Sequence, residues 1–136
     1  MSGVSLKQVV KSYGNVEVIH GVDLQVDPGS FCVFVGPSGC GKSTLLRMIA
    51  GLEETTGGQI KIADRDVTHV DAADRGIAMV FQSYALYPHM TVRENMGFGL
   101  KMNGVDKATI TQKVDEVAEI LKLQDYMDRK PKALSG

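Results

Sequence analysis

Residues 36 to 44 read Gly36-Pro37-Ser38-Gly39-Cys40-Gly41-Lys42-Ser43-Thr44 and match the pattern GxxxxGK[ST]. The chemistry this spacing serves is the gripping of a polyphosphate. Glycine is needed because the loop has to pass through backbone conformations closed to residues with a Cβ, which lets successive N–H groups converge on phosphate oxygens. A helix starting near Lys42 adds its positive terminus, and Lys42 reaches the terminal phosphates as a point charge. The Ser43 hydroxyl can ligate Mg2+, and Thr44 is placed to hydrogen-bond the α-phosphate. All of these contacts go to phosphate, so the loop predicts a bound nucleoside triphosphate without naming its base. The plain alternative is a glycine-rich turn that caps a helix and carries a surface lysine.

The elements around the loop are those it requires. Phe31-Cys32-Val33-Phe34-Val35 is an uninterrupted apolar run, predicted to be a central strand covered on both faces. After the loop, Leu45, Met48 and Ile49 at helical spacing predict a helix from Ser43 to Ala50, stopped by Gly51. Upstream, Val4 to Ser12 and Val16 to Val26 predict an antiparallel pair, with Val18, His20, Val22, Leu24 and Val26 sharing one face. Gln59 to Ile62 and a stretch near Val67 read as lesser strands, and Ile77 to Phe81 as a second compact apolar strand. From Thr91 the period changes. Thr91-Val92-Arg93-Glu94 matches a capping box, and Ile110, Val114, Val117, Ala118 and Leu121 form the apolar stripe of a second helix.

A length of 136 residues allows one core, and 15 basic against 16 acidic side chains leave a formal charge of -1. That balance provides no basic field for nucleic acid or anionic lipid, so phosphate chemistry has to be local. No apolar stretch suits a secretory signal or a membrane span, from which a cytoplasmic location is expected. Cys32 and Cys40 form neither a disulfide framework nor a zinc constellation and are read as free thiols. His20, His69 and His89 are given no role. The elements a GTPase would need, DxxG and NKxD, are missing.

The segments GPSGCGKSTLLRMIAGLE (36 to 53) and GIAMVFQSYALYPHMTVRENMGFGLK (76 to 101) resemble the ATP-binding subunits of ABC transporters, most closely the bacterial sugar and glycerol-phosphate importers. The resemblance covers essentially the whole chain. It implies an α/β fold: a P-loop NTPase core of ABC type with an N-terminal antiparallel β region and the start of a helical subdomain. Residues 1–90 would hold the β region, the P-loop core and the Q-loop, and residues 91–136 the helical part. Tyr13 would stack on adenine, a contact for which aromatic–base stacking suggests about 1–3 kcal/mol. Gln82 would be the Q-loop glutamine, which ligates Mg2+ and orients the attacking water. Ser83 to Met90 would receive the transmembrane permease subunits. Leu134-Ser135-Gly136 would begin the LSGGQ signature, with Ser135 facing the ATP of the opposite subunit in a head-to-tail dimer. The implied place is the cytoplasmic face of the inner membrane.

The resemblance also implies that the chain is the first part of a longer ATPase, without the strand that ends in the magnesium-associated aspartate and catalytic glutamate and without the switch histidine. Residues 1–136 alone are then expected to bind ATP better than they cut it. In the family the two missing strands lie between the Phe31 to Val35 and Ile77 to Phe81 strands, so both would have open apolar edges and the isolated chain should tend to aggregate. Three readings stay open: a transport ATPase that imports a carbohydrate-type solute, a truncated fragment that binds nucleotide without hydrolysing it, and a soluble ABC-type ATPase outside transport.

Overall fold

The computed structural model describes residues 3–134, and the chain forms two compact units, Met1–Met79 and Val80–Gly136. The first is built on strands β1 (Val4–Tyr13), β2 (Val16–Val26), β3 (Gly57–Ile62) and β4 (Arg65–Asp66), with helix α1 (Lys42–Ala50). The sheet order is β2-β1-β3-β4, and every neighbouring pair is antiparallel. Leu6, Val9, Ile19, Ile60 and Ile62 from the sheet pack with Leu45 and Met48 of α1 and with Val67 to form the core. The apolar spacing predicted for α1 is thus the face it buries. Gly51 ends the helix in the left-handed conformation, its N–H bonding the Met48 carbonyl at 3.1 Å.

Of the face predicted for β2, Val18, Val22 and Leu24 pack against the core, and the expectation is corrected at His20. Ile19 is buried, whereas His20 is exposed and Val18 and Val22 are half-buried. Val9 pairs with Val22 but Lys11 with Ile19, so β2 gains a residue there, at Gly21 with φ +67°. A bulge of this kind shifts the alternation by one residue, and uniform period-two counting fails across it. β1 carries a second bulge at Gln8 (φ +48°), between the pairs Leu6 with Leu24 and Val9 with Val22. The Gln8 N–H donates to Asp23 Oδ1 at 2.7 Å and its side-chain amide bonds the other carboxylate oxygen. On the far side, a Cβ at Gly58 would overlap the Gln8 carbonyl.

Two predicted strands are absent from the sheet. Phe31 to Val35 forms no ladder, and Phe31 is 93% and Val35 89% exposed, with only Phe34 packing on the core. Ile77 to Phe81 likewise has no strand hydrogen bonding. Apolar, β-branched composition favours a strand only where a neighbouring strand supplies the ladder, and neither run has one among the described residues.

In the second unit, α2 (Val92–Met102) and α3 (Lys107–Ile120) pack around Val92, Val114, Ala118 and Met127. The predicted capping box is present: the Glu94 N–H donates to Thr91 Oγ1 at 3.2 Å, and the Thr91 N–H to Glu94 Oε2 at 2.7 Å. Two more amides at the start of α2 are satisfied from the C-terminal segment, Val92 N–H by the Arg129 carbonyl and Arg93 N–H by that of Met127. The α3 stripe is narrower than predicted. Ile110, Val114 and Ala118 face inward, while Val117 and Leu121 are exposed.

Candidate functional site

Helix α1 starts at Lys42 from an N-cap glycine, Gly41, at φ 95° and ψ 2°, with no side-chain cap. Its first amides therefore lack the acceptor that Ser, Thr or Asp would bring, and they point out of the helix end where its dipole is positive. Gly39 is also left-handed (φ +80°), and the Cys40 N–H reaches back to the Pro37 carbonyl at 3.4 Å. A Cβ on Gly36 would lie 2.8 Å from Cys40 Sγ, so the two limbs of the loop close on one another. Lys42 folds back across this turn, its ammonium donating to the carbonyls of Gly36 at 2.8 Å and Pro37 at 2.6 Å. Gly36, Pro37, Ser38, Gly39 and Cys40 are all exposed, as is Ser43, while Thr44 is half-buried.

The loop is seated on the β1–β2 hairpin. A Cβ on Gly41 would meet Ile19 Cδ1 at 2.7 Å and the Val18 carbonyl at 3.3 Å, so only glycine lets α1 begin this close to β2. Tyr13 pairs with Val16 at the same end of the hairpin and is 48% exposed. The loop thus rests on β2 through Gly41, against Val18 and Ile19, while Tyr13 pairs with Val16 further toward the hairpin turn. Under the Tyr13 ring lies Lys11, whose Nζ is 4.8 Å from the ring centroid and 2.6 Å from Glu53 Oε1. The hydrogen bond from Lys11 lowers the Glu53 pKa. Sequence reading passed over Lys11, since a lysine in an alternating strand reads as a solvated residue.

Gln82 and the segment Ser83 to Met90 belong to the second unit. Gln82 is exposed, as are Tyr84, Leu86 and Tyr87. Tyr84 and Ala85 adopt positive φ, and the segment is stapled to α2 by Asn95, which bonds the Tyr87 backbone on both its N–H and its carbonyl and reaches the Met90 carbonyl at 3.3 Å. The Tyr87 and Phe98 rings lie 4.7 Å apart. Asn95 was not singled out from sequence, and nothing in its spacing marks it. Ser135 lies outside the described residues. Among the described residues no cluster of His, Cys, Asp or Glu could hold a metal, and no helix is long and apolar enough to cross a membrane.

Residues 19–136 match the family model described as ABC transporter. The chain belongs to the ABC transporter family. Over all 136 residues it is 62% identical to the sn-glycerol-3-phosphate import ATP-binding protein UgpC of Ruegeria sp. (strain TM1040). It is 61% identical to the lactose transport ATP-binding protein LacK of Rhizobium radiobacter, and 57% to the maltose/maltodextrin import ATP-binding protein MalK of Yersinia pestis. In each case the whole chain is matched, but it spans only 39%, 38% and 37% of the respective relative. The ATP-binding cassette MJ0796, solved as a dimer bound to ADP and Pi, superposes with a TM-score of 0.86 at 29% identity, over 97% of this chain and 63% of that one. An ABC transporter cassette in its ADP conformation, MJ1267, gives a TM-score of 0.81 at 29% identity, over 100% and 60%. The α/β, ABC-type fold expected from sequence is therefore the fold of this chain, present as the N-terminal part of its relatives' length.

Proposed function

We propose that this chain is the nucleotide-holding part of an ABC transporter's ATP-binding subunit, and that the complete protein drives import of a carbohydrate-type solute. The observation that carries this reading is the closed glycine loop at the uncapped start of α1, set against the hairpin end that bears Tyr13. The printed functions of UgpC, LacK and MalK support the transport assignment.

In this reading the amides of Gly39, Cys40, Gly41, Lys42 and Ser43 bind phosphate oxygens. Gly36, Pro37 and Ser38 shape the turn that aims them. Lys42 exchanges its bonds to the Gly36 and Pro37 carbonyls for the terminal phosphates, Thr44 holds the α-phosphate, and Tyr13 stacks on the adenine. Ser43, exposed on the first turn of α1, is the magnesium ligand of the loop, and the same role for Gln82 rests on the family resemblance alone. A site with so few protein donors suits Mg2+, which is commonly held by one or two side chains together with phosphates and water. When bound, the ion offsets the charge of the β- and γ-phosphates.

Gln82 orients the attacking water through its amide, but an amide cannot take up a proton as a carboxylate does. Turnover is accordingly assigned to the longer protein, and residues 1–136 are expected to bind ATP and hydrolyse it slowly. The dimeric ADP-bound cassette supports a dimer, and the relatives' import functions support work at a membrane; the head-to-tail arrangement, Ser135 at the opposite subunit's ATP and the cytoplasmic face rest on the family resemblance. The stapled segment Ser83 to Met90, with Tyr84 and Leu86 exposed, is the proposed docking surface for the permease subunits.

Phosphate release and nucleotide binding, each compared with Lys42→Ala, test this reading. Binding that is lost in Lys42→Ala, with little release by the unaltered chain, is the expected result. Robust release abolished by the substitution would overturn the assignment of turnover to the longer protein, and no binding at millimolar Mg-ATP would overturn the site.

A further inference from the structure

Lys11 is 8% exposed, an unusual position for a lysine. Its ammonium donates to the Glu54 carbonyl at 2.8 Å, pairs with Glu53 Oε1 at 2.6 Å, and stands 4.8 Å from the centroid of the Tyr13 ring. Removing an ammonium from water is costly, and a pair of this kind is seldom better for stability than an apolar side chain of the same size. The position of the cation under an otherwise exposed ring, at the hairpin end that adjoins Gly41, calls for another reason.

We propose that Lys11, held in place by Glu53, is a positioning and specificity residue for the nucleotide base. This rests on the assignment of the loop and Tyr13 as a nucleotide site, and adds to it a residue that does not touch the ligand. Two effects follow from the geometry. The ammonium fixes the ring from below, so the orientation that presents its outer face is set before a ligand arrives. It also draws π density toward itself, which leaves the outer face better matched to an electron-rich purine than to a pyrimidine. Glu53 keeps the ammonium from swinging out to solvent, and the Glu54 carbonyl satisfies a second of its protons.

Titration calorimetry with Mg-ATP, Mg-CTP and magnesium tripolyphosphate separates base from phosphate. Lys11→Met, which keeps the apolar stem and removes the charge, is expected to weaken ATP about three- to tenfold, CTP less, and tripolyphosphate not at all. Lys11→Arg keeps a cation for the ring and for Glu53 and should restore ATP affinity. Equal losses for all three ligands would show that Lys11 only holds the fold, and would overturn the proposal. So would an unchanged ATP affinity. If circular dichroism shows Lys11→Met unfolded, Glu53→Gln replaces it with the same expected pattern, and unchanged ATP affinity there is equally decisive. Tripolyphosphate binding by the unaltered chain tests the phosphate loop by itself. If that binding is absent, the site assignment fails and this proposal with it; if it is present and Lys11→Met has no selective effect, the proposal alone fails.

Discussion

Gly51 and Arg75 are matched in shape: a Cβ on Gly51 would lie 2.5 Å from Arg75 Nε and 2.9 Å from Cζ. Through that gap the guanidinium reaches the end of α1, donating to the carbonyls of Met48 at 2.9 Å and Ile49 at 3.1 Å, while Nε bonds Val70 at 2.8 Å. A cation there satisfies orphan carbonyls and faces the negative end of the helix whose other end carries the phosphate loop. Burial lowers the Arg75 pKa, with Asp71 opposing the shift.

Arg75→Met is therefore expected to destabilise the first unit by about 2–3 kcal/mol, since the part-buried Ile49 and Val70 carbonyls lose the guanidinium and Met48 keeps only the Gly51 N–H. Gly51→Ala should cost about 2–4 kcal/mol, combining a left-handed alanine with a clash. Urea unfolding midpoints measure both.

Mg-ATP at about 100 times its dissociation constant should stabilise the chain by roughly 2.7 kcal/mol. Lys42→Ala should remove that gain. Without nucleotide it should change stability by less than about 1 kcal/mol, because the carbonyls Lys42 bonds are on an exposed turn that water can serve. Thermal scans with and without nucleotide check both halves.

The Thr68 hydroxyl, then the Thr68 N–H and the Gln59 amide, lower the Asp66 pKa to about 2 from 3.8. A depressed carboxylate contributes stability that is present above its unfolded value and lost as pH falls toward the folded one. The chain should thus show an acid-dependent loss between about pH 4 and 2 that Asp66→Asn removes. Carboxyl NMR should find the Asp66 titration moved upward in Thr68→Ala.

Thr91→Ala removes one half of the capping box and should cost about 1 kcal/mol. The loss should be confined to the second unit, so hydrogen exchange should rise in α2 and not in α1.

With Phe31 at 93% and Val35 at 89% exposure, the isolated chain should self-associate. Phe31→Ser should raise the monomer fraction, as read by light scattering; an unaltered chain that stays monomeric at high concentration would contradict this.

What could be read from sequence was whatever depends on neighbours along the chain. The cap at Thr91, the stop at Gly51 and the turn through Gly39 and Gly41 are local, and each forms where its residues predict. Strands depend on partners, and that is where reading failed: Phe31 to Val35 has the composition of a buried strand and no ladder to join. Burial of Lys11 and Arg75 was hidden for a related reason. Each is satisfied by groups brought from elsewhere in the fold, Glu53 and Glu54 for one, Met48 and Ile49 for the other. The seating of Gly41 against Val18 and Ile19 is likewise tertiary, since it depends on where the fold places β2.

The bulge at Gln8 has a further consequence. Sliding β1 along its neighbours by two residues would keep every side chain on its own side of the sheet, so alternation alone does not forbid it. Such a slip would move Gln8 away from the carboxylate that receives it and from Gly58, whose bare backbone makes room for its carbonyl. The knob and its socket act as an alignment pin that fixes where β1 starts along its neighbours, before the later shifts of β2 set the stretch that leads to the aromatic at the far end.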